Sequence, residues 1–462
     1  MSGIGADATP RAQTSEIRRV FGPQISELIR RVAQPAKDSG LKLFLVGGFV
    51  RDLWLGQRSF DLDFVLEGDA IDFAEALAGL YGGAIQIHAP FGTAKWTLDE
   101  AVAESLSLAL DQIPSHVDFT TARKEIYAYP SALPAVAPGE IRQDLLRRDF
   151  TINALALQLS PRICAGEVID VAGGVNDLDK GLIRVLQEQS FVDDPTRVIR
   201  AHRYAQRYGF EVEAQTAAWM REALPILGRL TGQRLRNEID LILREPEAGQ
   251  ILLRLQELGA LHHIHLAFVV SARLPELLAR CTSARPPWSA DDADGQTLRW
   301  SALLASVDPT DARDICERLA LTKALTNAIV ASAHLAARIG ILNDPNLSPS
   351  QITRMLDKLP DAALEVGWLL AAEKSQAMAN LTAYASDWRH RRATISGADL
   401  KAMGIEPGPL YRRLLEQLRF AWIEKEIQSV RDEEALLHEL LAAEGCAPAD
   451  PDWRRLRERD SS

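Results

Sequence analysis

The chain has 462 residues, more than one hydrophobic core ordinarily serves, so about two to four domains are expected. With 47% hydrophobic and 25% charged residues it reads as globular, and no apolar run looks long enough to span a bilayer. A formal net charge of −11 argues against a generic nucleic-acid binder, though not against one concentrated basic face.

Residues 1–15 are small and polar and read as a disordered lead, and 16–39 carry helical periodicity. Strand-like pieces follow at 41–46, 60–66, 83–87, 93–98 and 116–121, with helical patterns at 48–55 and 69–81. Together they predict a mixed α/β unit reaching about residue 190. After Phe191 strand signals nearly vanish, and helical patterns run on with breaks at 284–296, 343–351 and 403–410. Cys164, Cys281, Cys316 and Cys446 lie far apart without metal-ligand spacing and read as reduced and mostly buried. No charged-then-apolar signal opens the chain, so a cytoplasmic location is the default expectation.

The stretch "FDLDFVL" (60–66) puts Asp61 and Asp63 on one face of a strand and Leu62 and Phe64 on the other. Two like charges that close repel unless a cation lies between them. Oxygen ligands on a strand suit Mg²⁺; a solvated strand face is the bland alternative. Gly47 and Gly48 follow the apolar "LKLFLV" and precede a helical segment, where backbone can approach a phosphate at a helix N-terminus. Arg51, one turn on, can add a guanidinium fork. Phosphate beside metal is what nucleotidyl transfer needs.

Asp118 in "HVDFTTAR" is a candidate third carboxylate, or else a strand-end acid paired with Arg123 or Lys124. "RRDFTINA" reads as a charged helix start that Asp149 would cap and Asn153 would close. The interval between Glu125 and Asp144 holds Pro130, Pro134, Pro138 and Gly139 and reads as an irregular loop. In "DDPTRVIRAHRYAQR", Pro195 suits a first helical turn and Asp193 or Asp194 its cap. Arg197, Arg200, Arg203 and Arg207 continue a basic stripe, expected to join Arg412 and Arg413 in a basic binding face. "ALHHIHLA" (260–267) reads as a surface or half-buried helix end rather than a metal site.

"GGFVRDLWLG…FDLDFVLEG" resembles the nucleotidyltransferase signature of the polymerase-beta superfamily, and within it the class II tRNA nucleotidyltransferase/poly(A) polymerase family. The resemblance continues through "DLLRRDFTINALAL", "GGVNDLDKGLIRVL", "FVDDPTRVIRAHRYAQRYGF" and "GQRLRNEIDLIL", covering roughly 41–245; 395–418 resembles a tail segment of some members. It implies an α+β fold: a nucleotidyltransferase head (16–190), then an all-α neck with a base-selection motif (191–250), body (251–342) and tRNA-binding tail (343–462). It implies addition of C, C and A to the tRNA 3′ end from CTP and ATP, with pyrophosphate released and no membrane or stable protein partner. Asp61 and Asp63 would hold two Mg²⁺, and Gly48, Arg51 and Arg148 would grip phosphates. Asp149 and Asn153 would organise the pocket, Asp194 and Arg197 would select the base, and Arg200 and Arg203 would continue the nucleotide site. The loop between Glu125 and Asp144 would be a flexible element linked to specificity switching. CC-only or A-only addition, a bacterial poly(A) polymerase, and an idle RNA-binding scaffold remain as alternatives.

Overall fold

In the computed structural model, which describes residues 11–58, 61–126, 135–161, 165–289 and 295–446, the expected strands form close to their expected places. The head strands are β1 (Arg11–Gln13), β2 (Lys42–Val46), β3 (Asp63–Glu67), β4 (Ile85–His88), β5 (Thr93–Thr97), β6 (His116–Thr121), β7 (Arg123–Ile126), β8 (Ala135–Pro138), β9 (Leu155–Gln158) and β10 (Ala165–Asp170). Eight of them make one mixed sheet in the order β1-β10-β9-β2-β3-β6-β5-β4, and β7 pairs with β8 separately. β3 and β6 run parallel with Asp63 opposite Asp118, whereas β2–β3 and β5–β6 are antiparallel. Leu62, Phe64 and Phe119 are at most 1% exposed and form the core beneath one face of the sheet, as the alternation implies, while Phe44, paired with Val65, packs in a second core on the other face.

Several expectations are corrected. Arg11–Gln13 is a strand paired with β10 and Thr14 opens a helix, so the expected disordered lead cannot extend past residue 10. The helix expected over 16–39 is two, Thr14–Phe21 and Pro23–Asp38, because Gly22 turns at φ +93° and Pro23 starts the second. β9 was not anticipated. Its Leu155, Ala156 and Leu157 are all buried between β2 and β10, so it has no two-residue alternation to detect. In "RRDFTINA" no helix starts. The helix Ile141–Leu146 ends there, and a single 3-10 turn, Thr151–Asn153, leads into β9. The interval expected as irregular between Glu125 and Asp144 instead holds the end of β7, the whole of its partner β8 and the start of that helix, and 127–134 lie outside the described residues.

Packing divides the chain into two units, Met1–Glu238 with Arg254–Ile264, and Ile239–Leu253 with His265–Ser462. The first holds the sheet and the neck helix Thr196–Tyr208, with one short parallel pair, β11 (Leu182–Ile183) and β12 (Glu211–Val212). The second is helical among the described residues, around clusters that include Leu335, Leu356, Leu364 and Leu381, and Leu400, Leu414, Leu418 and Leu437.

The helix Lys323–Leu342, 20 residues with mean hydropathy 1.4 over its most apolar window, is long and apolar enough to cross a membrane, contrary to the expectation that no such run exists. Half of that window is buried inside the protein, and Ile329, Leu335 and Leu342 sit within the helical unit, as a core helix does. Of the described cysteines Cys316 is buried, but Cys281 and Cys446 are only half-buried.

Candidate active site

β2 delivers the chain to Gly47, whose φ of +64° and ψ of −122° suit glycine alone. A Cβ there would also lie 2.7 Å from Arg148 Nη1. The turn is pinned by Gly47 N–H to the Leu155 carbonyl at 3.0 Å, and Gly48 opens the helix Gly48–Leu55. Arg148 therefore lies on the glycine turn. Its Nη2 donates to Asp144 Oδ2 at 3.1 Å, while Arg147 takes the other oxygen at 2.6 Å. Burial alone would raise the pKa of Asp144, but these two guanidinium groups hold it below the ordinary carboxylate value.

Beside this turn, Asp61, Asp63 and Asp118 each offer an oxygen, all within 4.8 Å of one another. Asp61 precedes β3, Asp63 begins it, and Asp118 stands opposite on β6, so the third carboxylate weighed from the sequence joins the other two. Among the described residues, the ion partners of Asp118 are Lys95 Nζ at 3.5 Å and, when protonated, His116 Nε2 at 3.7 Å; neither of the partners weighed from the sequence, Arg123 or Lys124, is among them. An all-oxygen donor set at this spacing fits a hard divalent cation. Burial, then the charge of Asp61, pushes the Asp63 pKa up to about 6, while Arg148 pulls it back.

That shift sets a pH dependence. The folded protein holds the Asp63 proton more tightly than the unfolded chain does. Metal-free stability should therefore fall as pH rises from about 4 to about 6, and the loss should be complete above that window. Divalent-cation affinity, which needs the carboxylate, should rise over the same window. Thermal midpoints with chelator and with Mg²⁺ across pH 4–8 check both slopes; Asp63→Asn should flatten them.

Asp149 and Asn153 lie in one buried network with Arg51. Asp149 Oδ1 accepts from Phe150 N–H at 2.9 Å and from Asn153 Nδ2 at 3.0 Å, and its other oxygen meets Arg200 at 2.7 Å. Burial would raise Asp149; Arg200 keeps it lowered. Arg51 lies against Gly48, but only 5% of it is exposed. Its Nη1 donates to Asn153 Oδ1 at 2.6 Å, its Nε to Asp52 at 2.9 Å, and the ring of Tyr208 sits 4.6 Å away. The geometry makes Arg51 a brace for Asn153 rather than an open phosphate fork.

At the entry to the neck helix Thr196–Tyr208, the side chains of Asp194 and Arg197 do not pair with one another, though Arg197 N–H donates to the Asp194 carbonyl at 3.1 Å. Asp194 Oδ1 accepts from Thr196 N–H and Oγ1 and from Arg234 Nη2 at 2.6 Å, so the helix-entry role expected for it is real. Arg197 is 7% exposed, and it donates to Ser190 Oγ and to the Arg147 carbonyl. Arg203 is 6% exposed, 3.9 Å from Glu238 and stacked on Tyr204. Of the stripe expected as a basic binding face, Arg197 and Arg203 are thus internal, Arg200 is half-buried and Arg207 is exposed. In the helical unit Arg413 pairs with Glu444 at 2.7 Å. Lys95, Asp144 and Arg234 are site neighbours that the sequence did not single out. A lysine on a strand face and an arginine inside "GQRLRNE" were the only signals. His262 and His263 are exposed at the end of the short helix Ala260–Ile264, as expected.

Three carboxylates on adjoining strands, beside a glycine turn that carries an arginine and opens a helix, define a nucleotidyltransferase head of the polymerase-beta type. Residues 43–184 match the family model described as the poly A polymerase head domain, and 209–268 that described as a probable RNA and SrmB-binding site of polymerase A. An A-adding tRNA nucleotidyltransferase of Halalkalibacterium halodurans is 30% identical, covering 84% of this chain and 86% of its own length. Another A-adding tRNA nucleotidyltransferase, from Geobacter sulfurreducens, is 32% identical over 88% of this chain, which spans only 46% of that relative's length. A Thermotoga maritima CCA-adding enzyme, solved in complex with tRNA, superposes with a TM-score of 0.69 at 27% identity, covering 94% of this chain and 99% of that one. The chain belongs to the tRNA nucleotidyltransferase and poly(A) polymerase family.

Proposed function

We propose that this chain is a template-independent, cytoplasmic nucleotidyltransferase that extends the 3′ end of tRNA from CTP and ATP, releasing pyrophosphate. The observation that carries the reading is the carboxylate triad beside the arginine-covered glycine turn. Asp61, Asp63 and Asp118 would hold Mg²⁺, which when bound lowers the pKa of the 3′-hydroxyl and neutralises triphosphate charge. Arg148 and the backbone at Gly48 grip the phosphates, and Arg51, Asn153 and Asp149 hold that wall to the neck helix. Asp194 accepts from the exocyclic amine of cytosine or adenine, and Arg197 donates to their ring nitrogen. Uracil and guanine present carbonyls at the amine position and are refused.

Addition of the terminal A alone is a second reading, favoured by the A-adding names of the two relatives above. One assay decides. Purified protein is given tRNAs ending at the discriminator, at C and at CC, with each nucleotide alone or mixed, and products are resolved at single steps. Growth from the discriminator to CCA supports full addition; extension of the CC-ending tRNA alone supports the second reading. Polyadenylation of any RNA would mean a poly(A) polymerase.

The tRNA backbone is expected in the helical unit, at a cleft of 630 Å³ whose rim carries Arg354, Lys358, Arg392, Arg412 and Arg419. Each phosphate contact removed there, for example by Arg412→Ala, should flatten the plot of log affinity against log salt by about 0.7–0.9. An unchanged slope in filter binding would remove the cleft from the tRNA footprint.

A further inference from the structure

We propose that Arg234 is a positioning residue for base selection, fixing the Asp194 carboxylate so that one oxygen is held and the other is presented to the incoming base. The inference rests on the reading of Asp194 and Arg197 as the base-selecting pair. All three donors to Asp194 converge on Oδ1: Thr196 N–H at 3.0 Å, Thr196 Oγ1 at 2.6 Å and Arg234 Nη2 at 2.6 Å. Among the described residues none is placed on Oδ2, and the Asp194 side chain is 22% exposed, so that oxygen is the one left for a ligand donor.

The two kinds of donor do different work. The Thr196 bonds are local and would form at almost any helix entry that carries an aspartate. They close a small ring and hold Oδ1 from the helix entry alone, with no tie to a second element. Arg234 comes from another helix, Gly232–Leu243, 40 residues along the chain, and no helix cap requires it. Its charged N–H gives a short, directional bond that fixes the plane from a second side. The two carboxylate oxygens are chemically the same. What Arg234 fixes is therefore the direction in which the free one points. Discrimination between an amine and a carbonyl on a base edge depends on that direction, because a misplacement of about 1 Å can cost about a hundredfold.

Arg197 is held in a parallel way, by Ser190 Oγ and the Arg147 carbonyl, the latter on the segment that also carries Arg148. The acceptor and the donor of the selecting pair are thus each pinned by a separate neighbour before any base arrives, and Arg234 supplies the pin on the acceptor side.

The test measures single-turnover rates for CTP, ATP, UTP and GTP on full-length wild type, Arg234→Gln, Arg234→Lys and Asp194→Ala, with thermal midpoints. Arg234→Gln is expected to slow the accepted nucleotides by about ten- to a hundredfold while UTP and GTP change far less. Arg234→Lys, which keeps a charged donor, should recover part of the lost selectivity. Wild-type selectivity in Arg234→Gln, together with narrowed selectivity in Asp194→Ala, would overturn the inference and leave the selecting pair standing. Unchanged selectivity in Asp194→Ala would overturn the pair itself and the inference with it. Equal slowing of all four nucleotides by Arg234→Gln, with a lowered midpoint, would reduce Arg234 to a structural tie and overturn the inference. If Arg234→Gln does not fold, Arg234→Lys decides: intermediate selectivity supports the role, and wild-type selectivity overturns it.

Discussion

Asp63→Ala is expected to abolish nucleotidyl transfer while leaving a folded protein that still binds tRNA. Asp63 sits between Asp61 and Asp118 in the triad and is the member whose proton affinity the surroundings raise, first by burial and then by the charge of Asp61. A bound divalent cation supplies several kcal/mol of transition-state stabilisation, so losing its central ligand should cost on the order of a thousandfold or more. Stability should move the other way. Without metal, Asp63 is one of three neighbouring acids, and removing it relieves repulsion and a desolvated charge. The metal-free midpoint above about pH 6 should therefore stay level or rise, and the increment that Mg²⁺ adds in wild type should vanish. Asp61→Ala should also stop transfer, and should let the remaining Asp63 titrate nearer its ordinary value, because Asp61 is the second cause of its shift. The measurements are single-turnover transfer and thermal midpoints with chelator and with Mg²⁺. A variant keeping more than about a tenth of the wild-type rate, or losing the fold in chelator, would sink the assignment of Asp61 and Asp63 as ligands.

How far the sequence foretold this arrangement varied with what each residue does. Asp61 and Asp63 were legible because a repelling pair two residues apart in an apolar strand is costly without a purpose. Gly47 was legible as a turn, but its deeper requirement, room for Arg148 Nη1, appears only when a segment a hundred residues later folds against it. Asp118 could not be settled from its own neighbours. His116, Arg123 and Lys124 all lie close to it in sequence, and only the parallel register opposite Asp63 turns it toward the triad. The arginines misled for a related reason. Spaced three and four apart, Arg197, Arg200, Arg203 and Arg207 look like a solvated stripe. Arg197 and Arg203 are instead buried, and Arg200 neutralises a buried carboxylate. A long aliphatic stem lets an arginine lie inside while its head finds an acid from another element, and no local pattern reports that acid. Arg51 shows the same limit. Its place after the glycines suggested a phosphate fork, yet it is held by Asp52 beside it, by Asn153, 102 residues on, and by Tyr208 of the neck helix, which also reaches Asp52 across 156 residues.

Arg148→Ala is expected to lower kcat/KM for the nucleotide by about a hundred- to a thousandfold, as removal of a preorganised donor from a developing charge does. The guanidinium lies against Gly47, takes Asp144 Oδ2 at 3.1 Å, and is 19% exposed at its side chain, so it is anchored on one edge and open on another. A rival reading makes it only the partner of Asp144. The two readings differ in three observables. Asp144 is fully buried but keeps two bonds from Arg147, at 3.0 and 2.6 Å, so under either reading the variant should fold, with some loss of stability. The midpoint alone therefore does not separate them.

The nucleotide dependence does. A phosphate grip predicts that much of the loss appears as weaker triphosphate binding, and that Arg148→Lys, which keeps charge but not the planar fork, recovers only part of it. The acid limb of the pH–rate profile gives the third signature. Arg148 does more than Lys95 to lower the Asp63 pKa from where burial and Asp61 would put it. Its removal must let that pKa climb above about 6, so at limiting Mg²⁺, where protons and the cation compete for Asp63, activity should switch on at higher pH than in wild type. An Arg148→Ala enzyme with wild-type triphosphate affinity and an unmoved acid limb would show that Arg148 serves Asp144 alone, and the phosphate grip would then have to come from the glycine turn.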